Sequence, residues 1–228
     1  MCTNCAPVQA QLLRDVFGVE PPASVWKPET YRDYLAPIVR ADQAGRRDCV
    51  LSGFGMIPRA EIKRRNAEQE ERTGAPPKLK DYDTMNARAE TVGSRASFSG
   101  PWKKGQVCLV PMTAFYEPNY EHGPKSVRYR IWMKDEPAFG VAGLWRDWPD
   151  GALTFTMLTV NADHHAVMKC MHAPEKEKRG IVIVPRGQWD DWLMCRDPEV
   201  ARSFLTLRAA ELMDAAPAPN SVKEGTSA

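Results

Sequence analysis

Apolar positions recur along this chain with two different periods. Between Pro7 and Phe17, Leu12, Leu13, Val16 and Phe17 fall at helical spacing and predict a short amphipathic helix. A proline-rich extended stretch follows from Pro21 to Ile38. Cys49 to Pro58 then reads as a buried strand running into a loop punctuated by Gly53, Gly55 and Pro58. From Ala60 to Arg72 the chain is polar on nearly every side, with opposite charges three and four residues apart, which predicts a solvated helix. Arg59, Lys63, Arg64 and Arg65 therefore read as a solvated face before they read as phosphate ligands.

Four strand-like runs dominate the middle: Val107–Val110, Arg128–Met133, Phe139–Leu144 and Leu153–Val160. They follow one another too closely for crossover helices, so antiparallel pairing is expected. A fifth run, Ile181–Val184, ends at Pro185, and helices are predicted over Trp189–Met194 and Glu199–Met213. The expected architecture is an α+β single domain over residues 2–213, with a mainly antiparallel, barrel-like β core and peripheral helices. Residues 214–228 hold too little apolar content to pack and are expected to form a disordered tail.

The chain has 228 residues, of which 43% are hydrophobic, enough for one sizeable core. A formal net charge of +2 gives no global polycation signal, so nucleic-acid binding would have to use a local patch. With no signal-peptide pattern and no apolar stretch approaching the ~18 residues of a membrane span, a soluble, cytoplasmic protein without membrane contact is expected. Six scattered cysteines read as reduced thiols. Cys2 and Cys5 form half of a zinc-ribbon pair, but Cys170 and His172 do not supply the usual second half, so no metal and no cofactor is expected.

The chain opens Met1-Cys2. If Met1 is removed, Cys2 offers a free amine and a thiol on adjacent carbons, and an α-amine with a pKa of about 7.7–8.0 is partly neutral near pH 7. Such a pair can condense with an aldehyde, the amine forming an imine and the thiol closing a thiazolidine ring. Glu117 lies among Phe115, Tyr116 and Pro118 just beyond an apolar strand. Burial there would raise its pKa toward neutrality, as proton transfer requires, although an exposed turn glutamate fits the local sequence equally well. Among His164, His165 and His172, the last opens a polar loop and is the best placed proton carrier. Asn86 to Thr91 reads locally as a turn with a surface strand.

Taken in order, several motifs resemble the SRAP family (SOS-response-associated peptidase domain), whose members crosslink covalently to abasic sites in single-stranded DNA. They are Met1-Cys2, Tyr34-Leu35-Ala36-Pro37, Phe54-Gly55-Met56-Ile57-Pro58, Asn86-Ala87-Arg88-Ala89-Glu90-Thr91, Cys108-Leu109-Val110-Pro111, Phe115-Tyr116-Glu117, Ala142-Gly143-Leu144-Trp145, Met171-His172 with Pro174, Lys178-Arg179, and Trp192-Leu193. The resemblance implies Cys2 as nucleophile, Asn86 as a hydrogen-bonding group beside it, Glu117 as acid/base and His172 as a second proton-transfer group. It implies Arg88, Arg95, Phe54 and Arg179 as DNA-binding residues, and a monomer whose partner is single-stranded DNA containing abasic sites. In that scheme the Cys2 thiolate closes the ring. Three positions depart from the family pattern: Asn4 replaces an arginine, Phe54 a tryptophan, and Pro118 the tryptophan after Phe-Tyr-Glu. Two other functions use the same residues, an N-terminal-nucleophile cysteine peptidase and a non-catalytic single-stranded DNA-binding module.

Overall fold

The structure, a computed structural model, describes residues 2–77 and 81–219. It begins with β1 (Cys5–Pro7) and α1 (Ala10–Leu12), which continues as a wider π turn over Leu13–Phe17. Leu13, Val16 and Phe17 bury their side chains and Gly18 closes the turn at φ +66°, so the helical spacing of the sequence is realised in a shorter element. Next come β2 (Leu35–Ala41), β3 (Arg47–Phe54), α2 (Arg59–Thr73), β4 (Asn86–Arg88) and α3 (Ser99–Lys103). The centre is β5 (Val107–Asn119), β6 (Val127–Met133), β7 (Phe139–Asp147) and β8 (Leu153–Asn161). The chain then forms β9 (Arg179–Ile181), β10 (Ile183–Val184), α4 (Trp189–Met194), α5 (Pro198–Arg202) and β11 (Met213–Pro217).

The strands join one sheet in the order β10-β7-β8-β3-β2-β5-β6-β11, and a further β7–β5 pairing closes the middle of that path into a ring. The fold is α+β, as the sequence predicts. Most pairings are antiparallel, but β3 and β4 both run parallel to β8. One apolar cluster lies under the helices, where Phe17 stacks on Trp189 at 4.5 Å. The other contains Phe54, Phe115, Phe139 and Phe155, and also Cys2 and Cys5.

Four elements differ from the sequence pattern, each for a local reason. β5 does not stop at Pro111 but runs on through Pro118. Proline forfeits only its donor, and both carbonyls are used: Pro111 accepts from the Val8 amide at 3.2 Å and Pro118 from the His172 amide at 2.7 Å. The fifth apolar run splits at Val182, with β9 on β8 and β10 on β7. The helix expected over Glu199–Met213 ends at Arg202. Its remainder returns to the sheet as β11, paired antiparallel with β6, so residues 214–217 are sheet rather than tail. Residues 220–228 of the expected tail lie outside the described residues.

Candidate functional site

Cys2 is placed by the strand that follows it. β1 pairs antiparallel with β5, setting Cys5 opposite Phe115, and the Tyr116 amide donates to the Asn4 carbonyl at 3.0 Å. Continuing this register carries Cys2 to the Glu117 end of β5. There Cys2 is almost wholly buried, and its Sγ donates to the Asn4 carbonyl at 3.3 Å. Asn86 arrives from the other side, at the start of β4, which lies parallel on β8 with Asn86 opposite Met157. Its Nδ2 donates to the Cys2 carbonyl at 2.7 Å. That bond fixes the amide's orientation, and Oδ1, equally buried, has no hydrogen-bond partner among the described residues. The cost of leaving a buried acceptor unmet is about 1–3 kcal/mol, which marks the position as one shaped for something else to fill.

His172 is delivered to Glu117 by main-chain pairing. Its amide donates to the carbonyl of Pro118, Met171 bridges to Asn119, and the Tyr120 amide donates to the Cys170 carbonyl at 3.1 Å. His172 itself adopts φ +64°, a left-handed conformation that costs a non-glycine residue about 1–2 kcal/mol. The half-turn is pinned by Lys178, whose Nζ donates to the carbonyls of His172 and Ala173 at 3.0 and 2.6 Å. The outcome is an imidazole Nδ1 at 3.4 Å from Glu117 Oε2.

Burial sets the protonation of all three groups. It pushes the Glu117 carboxyl up to about 7 and the His172 imidazole down to about 4. It also pushes the Cys2 thiol well above its usual value, and the nearby Glu117 carboxylate and Cys5 push it further. At neutral pH the site therefore holds a neutral thiol, a neutral imidazole and a carboxyl group populated in both forms. Sequence expectations for Cys2, Asn86, Glu117 and His172 converge on one place. Among the described residues no group of three or more His, Cys, Asp or Glu side chains is arranged to hold a metal ion.

Residues 8–224 match the family SRAP, SOS response associated peptidase. The chain belongs to the SRAP family. Abasic site processing protein YobE of Bacillus subtilis strain 168 is 30% identical over 148 residues, 61% of this chain and 65% of that protein. Abasic site processing protein YoqW of the same strain is 28% identical over 148 residues, 61% of this chain and 63% of its own length. The chain thus spans just under two thirds of these relatives. A crystal structure of a Bordetella bronchiseptica protein superposes with a TM-score of 0.80 at 29% identity, covering 95% of this chain and 99% of that one. One from Bacteroides thetaiotaomicron shares the fold at 22% identity, with a TM-score of 0.72 over 96% and 93% of the two chains.

Around this SRAP site the expected DNA-binding residues divide. Arg88 follows Asn86 by two positions and is half exposed, with Nη1 held by Glu177 Oε2 at 2.7 Å. Arg95 is exposed in the turn after β4. Phe54 is a correction: it is fully buried and stacks on Phe155 at 5.0 Å, so it is core and has no face for a base. Arg179 is a second correction. It is 3% exposed, bound by Glu90 at 2.8 Å, Glu177 at 2.8 Å and the Thr159 carbonyl at 2.7 Å, which spends its guanidinium inside the fold. Of the other histidines, His165 bonds the Arg208 carbonyl and the Met168 amide, and His164 is exposed.

The sequence reading missed Arg128 altogether. It sits opposite Pro118 in β6, where its Nη2 donates to Asn4 Oδ1 at 2.7 Å and to Glu29 Oε2 at 2.8 Å. The uncharged Asn4 is therefore a buried anchor for a guanidinium supplied by another strand. The one sequence signal was the alternation of Arg128 and Arg130 with Tyr129 in a run expected to form a strand.

Proposed function

We propose that this SRAP protein captures abasic sites in single-stranded DNA as a thiazolidine on Cys2, once Met1 has been removed. The names of the curated relatives support the substrate. The buried Asn86 amide carries the reading: one end holds the Cys2 main chain, and the unmet Oδ1 is suited to accept from a Cys2 amine and aim its lone pair.

The abasic sugar is mostly a closed hemiacetal. In its ionised form Glu117 takes the proton of the anomeric hydroxyl and returns it to the ring oxygen as the C1′–O4′ bond breaks, releasing the aldehyde. The Cys2 amine adds to C1′, and loss of water gives the imine. Sγ then bonds to C1′ while the thiol proton passes through Glu117 to the nitrogen, so the net change is aldehyde plus aminothiol to thiazolidine plus water. A buried thiol held in its protonated form needs such a base, which amends the expectation of a free thiolate. His172, 3.4 Å from the carboxylate, does not compete for the proton, because burial keeps it neutral.

The same electrostatics weigh against a cysteine peptidase, which depends on a depressed thiol pKa. Mixing the purified protein with single-stranded DNA carrying one abasic site tests the proposal. A band that survives denaturation, absent with intact DNA and with Cys2→Ala, is expected; no such band would overturn it.

A further inference from the structure

The ring of strands has two mouths, and Cys2 and Glu117 occupy one. Side chains alternate across each strand, so the rows that line the lumen run on to the opposite end. Ala36 and Ile38 of β2 lead to Arg40, Val50 of β3 leads back to Asp48, and Val141 of β7 leads on to Trp145. Arg40 is close enough to the lumen to act on Cys108 of β5: burial pushes that thiol's pKa up and the guanidinium pulls it down. At this far mouth Arg40, Asp42, Gln43, Asp48, Trp145 and Arg196 line a cavity of about 410 Å³.

Two guanidiniums there have donors to spare. Arg40 lies over the Trp145 ring at 4.5 Å, which holds its plane. Asp48 faces it across the β2–β3 pair, but Oδ2 stands 3.5 Å from Nε, well beyond the length of about 2.7–2.9 Å of a charge-assisted bond. Among the described residues no acceptor takes a hydrogen bond from Arg40. Arg196 is anchored through one nitrogen, Nη1 donating to the carbonyls of Leu193, Gly105 and Cys195 at 2.9, 3.3 and 3.3 Å. Its main chain is seated tightly on Gly105, where a Cβ would come within 2.8 Å of the Arg196 Cα. Asp42 does not compete for either cation, because its carboxylate is spent on the amides of Ala44 and Arg46 and on Arg46 Nε. The cavity thus sets two held guanidiniums against one loosely paired carboxylate.

We infer that this far mouth is a binding site for a small oxyanion, a phosphate or a carboxylate, held by Arg40 and Arg196. A planar guanidinium presents paired N–H donors that match two oxygens of either group. A free small anion fits better than a nucleic-acid backbone, because the length of β5 from Cys108 to Glu117 separates this mouth from the one that holds Cys2. Occupancy ties β2 to the segment after α4, and it depends neither on Cys2 nor on the capture chemistry.

The test is isothermal titration calorimetry of the purified protein with inorganic phosphate and, separately, with citrate, in chloride buffer at constant ionic strength. Saturable binding is expected, and the tighter anion identifies the group. Arg40→Gln should weaken it about tenfold or more, as the loss of a charge-assisted bond does. Asp48→Asn should tighten it several-fold by removing the competing carboxylate, a gain that misfolding cannot produce. Crosslinking of an abasic oligonucleotide by Arg40→Gln should match the parent's. No saturable binding by the parent at millimolar anion, or an affinity unchanged in either variant, overturns the site. Arg40→Gln weakening labelled oligothymidylate as much as it weakens phosphate overturns it as well, by making the mouth a nucleic-acid contact.

Discussion

Glu117 and His172 lie 55 positions apart in the sequence, yet Nδ1 of one is 3.4 Å from Oε2 of the other. Burial drives their pKa values toward each other's usual ranges, the carboxyl to about 7 and the imidazole to about 4. A carboxylate that changes form near pH 7 is suited to both accepting and returning a proton.

From this pair follows a pH profile. The crosslinking rate should rise with pH to an inflection near 7 as Glu117 ionises, with a second rise as the amine deprotonates at about 7.7–8.0. Glu117→Gln should slow the reaction roughly 10²–10⁴-fold and abolish the lower inflection. His172→Asn, which tolerates the left-handed backbone, should leave that inflection near 7, because burial and not the imidazole raises the Glu117 carboxyl. Single-turnover rates across pH 5–9 check all three; a lower inflection that survives in Glu117→Gln would remove the glutamate from proton transfer.

Stability should carry the same signature. The folded pKa of Glu117 lies above its usual value, so folded protein binds more protons than unfolded protein between pH ~4.5 and ~7, and stability falls as pH rises through that window. Glu117→Gln removes this loss. The melting temperature of the variant should therefore gain on the parent from pH 5 to pH 8, with His172 contributing equally to both. A constant difference across that range would contradict the raised pKa.

Glu177 bridges Arg88 at 2.7 Å and Arg179 at 2.8 Å. A phosphate seeking Arg88 must displace that carboxylate, so Glu177→Gln should tighten single-stranded DNA binding several-fold. Arg88→Ala should weaken it and reduce the log–log salt slope by about 0.7. Anisotropy titrations between 50 and 200 mM salt measure both, and an unchanged slope in Arg88→Ala takes Arg88 off the DNA path.

How far the sequence could be read depended on how local each signal was. The polar helix α2 and the strands β6, β7 and β8 were legible because their side-chain patterns repeat within a few residues. β11 was not: its apolar content is low, and it is strand because β6 offers it an open edge. Glu117 and His172 were legible as chemical types, but their meeting depends on main-chain bonds from Pro118 and Asn119 that no local pattern encodes. Phe54 and Arg179 misled for the opposite reason. Their residue types suit DNA, while Phe155, Glu90 and Glu177 had already claimed them.

As a core residue, Phe54 also gives a direct check on its reassignment. Phe54→Ala should destabilise the fold by about 3–5 kcal/mol, the usual cost of emptying a buried aromatic site. Denaturant unfolding measures this, and a loss below about 1 kcal/mol would return Phe54 to the surface.

In the proposed chemistry the amine and the thiol of Cys2 both bond to one carbon of the abasic sugar. Intact mass spectrometry of the adduct, comparing protein freed of Met1 with protein bearing a blocked N-terminus, tests it most directly. One adduct is expected on the free protein at the summed mass less one water, stable without a reducing agent, and none on the blocked protein. An adduct of equal yield on the blocked protein, or one that persists only after borohydride reduction, would contradict it.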